Sequence, residues 1–217
     1  MFPHPTDFAV KICGVTTAEQ AVAIAAAGAD ALGLNFWEKS KRYISPATVA
    51  GWDLRAQIPT PRVAVLVNAD QRLLDEIIGL GVVDVLQLHG DESPAKCERV
   101  MTLGLPVIKA LQVRDRHSLA VIGEFPCDTI LLDAYCPGSY GGEGKTFPWE
   151  LAIEAIVRFP EKRFLLAGGL TAANVAAAIE GVQPAGVDVA SGVESAPGIK
   201  DMVLVHQFIE KARAAVR

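Results

Sequence analysis

What this sequence lacks narrows its role before any motif is read. No uninterrupted apolar run approaches the roughly 18 residues of a membrane span. No block of lysine and arginine stands out: 20 basic residues face 25 acidic ones, a net charge of −5. That balance argues against nucleic acid or an anionic membrane as the main partner. Cysteine is scarce. The four residues, at positions 13, 97, 127 and 136, form no Cys-x-x-Cys pair and no metal-finger spacing. A disulfide framework in a chain this large is unusual without a secretory signal, and the opening Met1-Phe2-Pro3-His4-Pro5-Thr6-Asp7 has two prolines and no basic n-region. A reduced, cytoplasmic protein is expected.

Also absent are a polar linker, a low-complexity stretch or a composition shift, so residues 1–217 read as one domain. Half of those residues are apolar, enough for a sizeable core. Eight short apolar runs recur along the chain, at 8–13, 31–36, 62–67, 85–89, 106–111, 129–133, 164–167 and 186–190. Such runs suit parallel strands buried on both faces. Helical segments lie between them with their own start signals. Thr17-Ala18-Glu19-Gln20 reads as a capping box for a helix ending near Gly28. Ser45-Pro46 and Ser93-Pro94 each read as an N-cap hydroxyl followed by proline at N1. Thr171 is placed to cap a helix through Asn174 to Ile179, and residues 200–215 read as a closing amphipathic helix. Eight βα repeats predict an α/β fold, a (β/α)8 TIM barrel. The rival open sheet needs a Gly-x-Gly-x-x-Gly turn after its first strand, and Cys13-Gly14-Val15-Thr16-Thr17 is not one.

In a (β/α)8 barrel the loops after all strands converge on one face, so the strand ends nominate the site. They are Cys13; Asn35 with Ser40 and Arg42; Asn68; Gln87 and His89; Asp133; Gly168-Gly169; and Asp188 with Ser191-Gly192. Cys13 is either a thiol exposed at a strand end or a small buried hydrophobe. Asp133 ends an apolar run and must be solvated, paired or protonated. Gln87 and His89 point the same way on strand alternation, either to hydrogen-bond a substrate together or with His89 a satisfied histidine that only orients its neighbours. Gly168, Gly169, Ser191 and Gly192 offer bare backbone amides near helix starts, the makings of a phosphate site. Arg42, in the basic Lys39-Ser40-Lys41-Arg42, suits a carboxylate through its planar fork. No second histidine or carboxylate stands at ligand spacing from His89, so metal binding is unsupported.

Assembled in order, the segments Lys11-Ile12-Cys13-Gly14, Gly33-Leu34-Asn35-Phe36, Ser40-Lys41-Arg42-Tyr43-Ile44-Ser45 and Gln87-Leu88-His89-Gly90 resemble the phosphoribosylanthranilate isomerase family of tryptophan biosynthesis. The resemblance continues through Leu131-Leu132-Asp133, Gly141-Gly142-Glu143-Gly144-Lys145-Thr146-Phe147, Leu166-Ala167-Gly168-Gly169-Leu170 and Asp188 to Lys200-Asp201. It implies an Amadori rearrangement of N-(5-phosphoribosyl)anthranilate, with Cys13 as general base, Asp133 as general acid and Arg42 as ligand of the anthranilate carboxylate. Arg42, Gln87, His89 and Asp188 are then substrate-binding. No cofactor or metal is implied, the partner is a small phosphorylated molecule, and monomer and homodimer are both open. Ala190 stands where the family carries serine, Pro148 where aspartate is common, and the loop 134–140, with Cys136, is slightly long. Two other readings compete. A histidine-pathway phosphoribosyl isomerase would carry aspartate at position 13 and a second phosphate site, and the loop Asn68-Ala69-Asp70 has no glycine pair for one. A non-catalytic phosphosugar-binding barrel would have lost the base or the acid.

Overall fold

The computed structural model describes residues 8–134 and 147–216. Eight parallel strands follow one another around a closed barrel: β1 (Ala9–Cys13), β2 (Ala31–Asn35), β3 (Arg62–Leu66), β4 (Val85–Leu88), β5 (Val107–Val113), β6 (Thr129–Ala134), β7 (Arg163–Leu166) and β8 (Gly186–Val189). The ring closes where β1 pairs with β8, with Lys11 opposite Asp188. All eight expected strands are present, within two residues of their expected limits. Their sequences are apolar at successive positions, so alternation feeds two layers at once. Val10, Ile12, Leu34 and Leu66 face outward onto the helices, whereas Ala9, Ala31, Val63, Leu131 and Leu165 fill the barrel.

The helices are α1 (Ala18–Ala26), α2 (Pro46–Ala50), α3 (Leu54–Gln57), α4 (Gln71–Leu80), α5 (Pro94–Met101), α6 (Trp149–Arg158), α7 (Val175–Val182) and α8 (Met202–Ala215). Ser45 and Ser93 cap α2 and α5 as expected, each accepting from an amide three residues on. The capping box at Thr17 is half made. Thr17 accepts from the Gln20 amide, but the Gln20 side chain donates to the Gly198 carbonyl at 3.4 Å instead of turning back. Thr171 does not cap α7; its hydroxyl accepts from Ala173 in a turn, and the helix begins only at Val175. Pro148 lies one position outside α6, at the N-cap, and supplies no side-chain bond.

Two further departures shape the mouth. Between β5 and β6 there is no α-helix, only two 3₁₀ turns, Arg116–Leu119 and Ile122–Glu124, in a stretch interrupted by Gly123 and Pro126. Beside them a cleft of about 350 Å³ opens next to His89. Ahead of α8, the chain forms a small hairpin, β9 (Glu194–Ala196) with β10 (Ile199–Lys200), so Lys200 belongs to a strand and Asp201 caps the helix.

Lys109 breaks the apolar pattern on the outer face of β5. It is 1% exposed, and its ammonium donates to Glu92 at 2.9 Å and to the carbonyls of Gly90 (2.7 Å) and Leu88 (3.2 Å). Glu92 in turn accepts from the amides of Asn68 (2.7 Å) and Gly90 (2.9 Å). One buried ion pair thus stitches together the loops after β3 and β4. Replacing Lys109 with methionine keeps the stem's packing but leaves Glu92 buried without its cation. Urea unfolding should show a loss of about 3–5 kcal/mol, partly recovered by adding Glu92→Gln, which removes the stranded charge.

Candidate active site

Strand alternation carries Lys11 and Cys13 on β1, Gly33 and Asn35 on β2, Gln87 on β4, Asp133 on β6 and Asp188 on β8 to the inner side, above the apolar layer. Cys13 ends its strand, yet it is 9% exposed rather than open to solvent. It is walled in by the neighbouring strand. A Cβ on Gly33 would stand 2.6 Å from Cys13 Sγ and 3.0 Å from Lys11 Nζ, so only glycine leaves the thiol its room.

Lys11, wholly buried, reaches Asp188 at 2.7 Å across the seam of the barrel. Burial pulls the Lys11 ammonium toward neutrality, but Asp188 and then Cys13 outweigh it and hold the lysine above its ordinary range. At Cys13 burial wins. It pushes the thiol up, more strongly than Lys11 and Lys200 draw it down, and Asp188 adds to the rise. Lys11 does act on the thiol as its place on the strand suggests, but its pull is smaller than the push of burial.

Arg42 is held at the mouth by a carboxylate of the chain itself. Its Nε and Nη2 each donate to Glu194 at 2.7 Å, and Lys200 meets the same Glu194 at 2.7 Å while also donating to the Ala190 carbonyl. Burial alone would raise the Glu194 carboxyl; Arg42 and Lys200 together hold it below its usual range. Gly14, at φ +77°, makes the arginine's path possible, because a Cβ there would collide with Arg42 Cδ. Ser40 accepts from the Arg42 amide and shapes this loop. Asn35 and Asn68 are likewise spent on loop backbone, accepting from Trp37 and Asp91.

Across the mouth runs a chain of three buried polar groups. Gln87 Nε2 lies 2.9 Å from His89 Nδ1, and His89 Nε2 lies 3.2 Å from Asp133 Oδ2. The other Asp133 oxygen accepts from the Ala134 amide at 2.8 Å. Gly168, at φ +81°, lets β7 end against this carboxylate; a Cβ would stand 3.0 Å from Asp133 Oδ1 and 2.7 Å from the Ala134 nitrogen. Next to it Gly169 is also left-handed, at φ +62°. A Cβ on Gly192 would collide with the Leu170 carbonyl, so the loops after β7 and β8 touch. Among the described residues, the backbone amides of Gly168, Gly169, Ser191 and Gly192 make no backbone hydrogen bond. The helix start read at Ser191-Gly192 is a single 3₁₀ turn, Ser191–Val193. Cys136, the loop from 135 to 140 and Gly141-Gly142-Glu143-Gly144-Lys145-Thr146 lie outside the described residues. Among the described residues, no three of His, Cys, Asp and Glu are grouped to hold a metal ion, and no helix is long and apolar enough to cross a membrane.

Sequence reasoning missed the roles of Glu194, Lys200, Gly14 and Gly33. Each depends on a residue from another strand or loop, and no local pattern marks it. The electrostatics of Cys13 can be checked directly. Alkylation of Cys13 by iodoacetamide, followed by peptide mass, should be slow at pH 7 and accelerate only above the ordinary thiol value of 9.0. Lys11→Met should push that acceleration to still higher pH and, by stranding Asp188, cost about 3–5 kcal/mol of stability. An unchanged alkylation profile in that variant would contradict the coupling.

With this geometry in view, known proteins supply the family. The family model of N-(5'-phosphoribosyl)anthranilate (PRA) isomerase matches residues 10–211. An N-(5'-phosphoribosyl)anthranilate isomerase of Pelobacter propionicus is 43% identical over 206 residues, covering 94% of this chain and 95% of its own. Among solved structures, the phosphoribosyl anthranilate isomerase of Thermotoga maritima is 39% identical with a TM-score of 0.85, over 95% of this chain and 99% of that one. Another, in complex with reduced 1-(o-carboxyphenylamino)-1-deoxyribulose 5-phosphate, is 35% identical with a TM-score of 0.80, over 95% and 99% of the two chains. The chain belongs to the N-(5'-phosphoribosyl)anthranilate isomerase family.

Proposed function

We propose that Cys13 and Asp133 divide between them the proton transfers of the family's reaction. The chain is an isomerase of tryptophan biosynthesis that converts N-(5-phosphoribosyl)anthranilate to 1-(2-carboxyphenylamino)-1-deoxyribulose 5-phosphate. The observation that carries the assignment of roles is positional. The thiol is the last residue of β1 and the carboxylate the last but one of β6, on different sides of one mouth, each fitted beside a glycine that leaves it space.

The chemistry needs an acid first. Asp133 delivers a proton to the furanose ring oxygen, the ring opens, and the anthranilate nitrogen becomes an iminium. Cys13 as thiolate then takes the C2′ proton to give the enolamine, which tautomerises to the ketone. Burial pushes the Cys13 thiol up, so its proton must first leave to solvent at the mouth, and the cationic iminium favours the resulting thiolate at the moment the base is needed.

The phosphate is assigned to the amides of Gly168, Gly169, Ser191 and Gly192, donors on two touching loops. Arg42 is assigned to the substrate carboxylate. Its contact with Glu194 supports this, because the same guanidinium already takes one carboxylate two-pronged at 2.7 Å, and the substrate's competes with or joins it. His89, Gln87 and Asp188 line this site as the polar wall around the sugar. A two-phosphate substrate is disfavoured at the loop after β3, where the Asn68 amide is already bonded to the Glu92 carboxylate.

A fluorescence assay of the purified protein with phosphoribosylanthranilate tests these roles. Cys13→Ser should fold and lose two to four decades of kcat, roughly the value of a positioned base. Asp133→Asn should lose turnover while still binding a product analogue; near-normal kcat in either variant returns that residue to a structural role. Arg42→Met should weaken substrate binding by about 1.5–3 kcal/mol, or roughly ten- to a hundredfold. An analogue without the carboxylate should bind wild type and Arg42→Met equally, and unequal binding would move the carboxylate site elsewhere.

A further inference from the structure

Gln87 is fully buried, and its amide is turned toward the acid rather than toward open solvent. Its nitrogen faces His89 Nδ1, while its carbonyl oxygen is buried with no hydrogen-bond partner among the described residues. A buried acceptor left unpaired is costly, and a side-chain amide can be turned over to exchange its two ends. The two orientations are not equivalent for the histidine.

With the amide nitrogen on Nδ1, that ring nitrogen must accept. The ring then carries its hydrogen on Nε2 and donates it to Asp133 Oδ2, 3.2 Å away, whose carboxylate also accepts from Ala134. This is the pair with no proton to give. With the amide oxygen on Nδ1, that nitrogen must carry a hydrogen, and the Nε2···Oδ2 contact then holds one more, on either atom. This is the pair loaded with one transferable proton. The turn gives the orphaned oxygen a partner and moves the amide nitrogen into the place the oxygen held, so each orientation leaves one end of the amide unpaired among the described residues.

We propose that Gln87 is a positioning residue whose amide lets the His89–Asp133 pair hold one proton and release it. Its oxygen faces His89 before ring opening, and its nitrogen faces it after the proton has passed to the ring oxygen of the substrate. The pair reloads from solvent at the mouth before the next turnover. This rests on Asp133 being the acid. Five other charged or titratable groups belong to the strands and loops around the pair: the Lys11–Asp188 ion pair and Cys13 from β1 and β8, and Lys109–Glu92 from behind β4 and β5. β6 adds no other charge beside it, and β3 and β7 present Val65 and Ala167. All of these stay constant when only Gln87 is changed.

Gln87→Glu, when ionised, offers His89 only acceptor oxygens and favours the loaded state, its negative charge acting in the same direction. The high-pH limb of kcat should move up by about one pH unit or more, with kcat reduced and KM within about twofold of wild type. Gln87→Met, of similar volume and without either hydrogen bond, provides the reference limb. A limb in Gln87→Glu that coincides with that of wild type overturns the proposal, as does a loss confined to KM. Should Gln87→Glu not fold, ¹⁵N NMR of the His89 ring in the ligand-free wild type decides. Nδ1 should gain a hydrogen as pH falls through the range of the kcat limb, and a ring whose nitrogens stay unchanged there refutes the proposal. That spectrum does not depend on turnover. Full activity of Asp133→Asn would defeat the acid assignment while leaving the ¹⁵N readout of the wild-type His89 ring to test the Gln87 contact on its own.

Discussion

Where the first strand meets the last, a buried lysine faces a buried aspartate, and the site is organised around that contact. Closing a parallel barrel brings residues 177 positions apart into register, and here it sets Lys11 against Asp188 at 2.7 Å. Neither charge tolerates burial alone. Their mutual presence is therefore a condition of closure as well as a feature of the mouth. It also sets the potential felt by Cys13, one step up the same strand face. The thiol has a cation beside it and an anion just behind, and burial remains the larger influence.

Above this seam the mouth is built by pairing charges with one another instead of exposing them. Arg42, Glu194 and Lys200 form one cluster, Gln87, His89 and Asp133 another, and Lys109 with Glu92 a third behind the strands. Each cluster joins segments distant in sequence, so each fixes a loop as well as a side chain. Glu194 lashes the hairpin after β8 to the loop after β2, and Glu92 lashes the loop after β3 to that after β4. A reaction that moves protons through such groups uses the same bonds that hold the loops, which preorganises the acid and the base.

Glycine supplies the remaining constraint. At Gly33 and Gly168 the missing Cβ is what separates a usable thiol and carboxylate from a steric collision, and at Gly14 it gives passage to Arg42. These positions read in the sequence as turn residues or as part of a motif, and the atoms they make room for come from other strands. The missing helix between β5 and β6 has a related effect, since two 3₁₀ turns leave His89 beside a cleft where a full helix would have packed.

The sequence alone determined the barrel. Apolar runs of strand length alternating with capped helical segments leave few ways to bury both faces of each strand, and the eight strands fell within two residues of their expected limits. It also nominated Cys13, Arg42, Gln87, His89, Asp133 and the glycine pair, because strand ends in such a fold converge. Only the tertiary structure decided what those residues touch: that Cys13 is buried and held as a thiol, that Arg42 is already clasped by Glu194, and that Gln87 addresses His89. The physical reason is range. Hydrophobic periodicity and helix capping act within a few residues of one another. Ion pairs, tautomers and steric room at the mouth instead depend on partners between two and 177 residues away, brought together when the barrel closes.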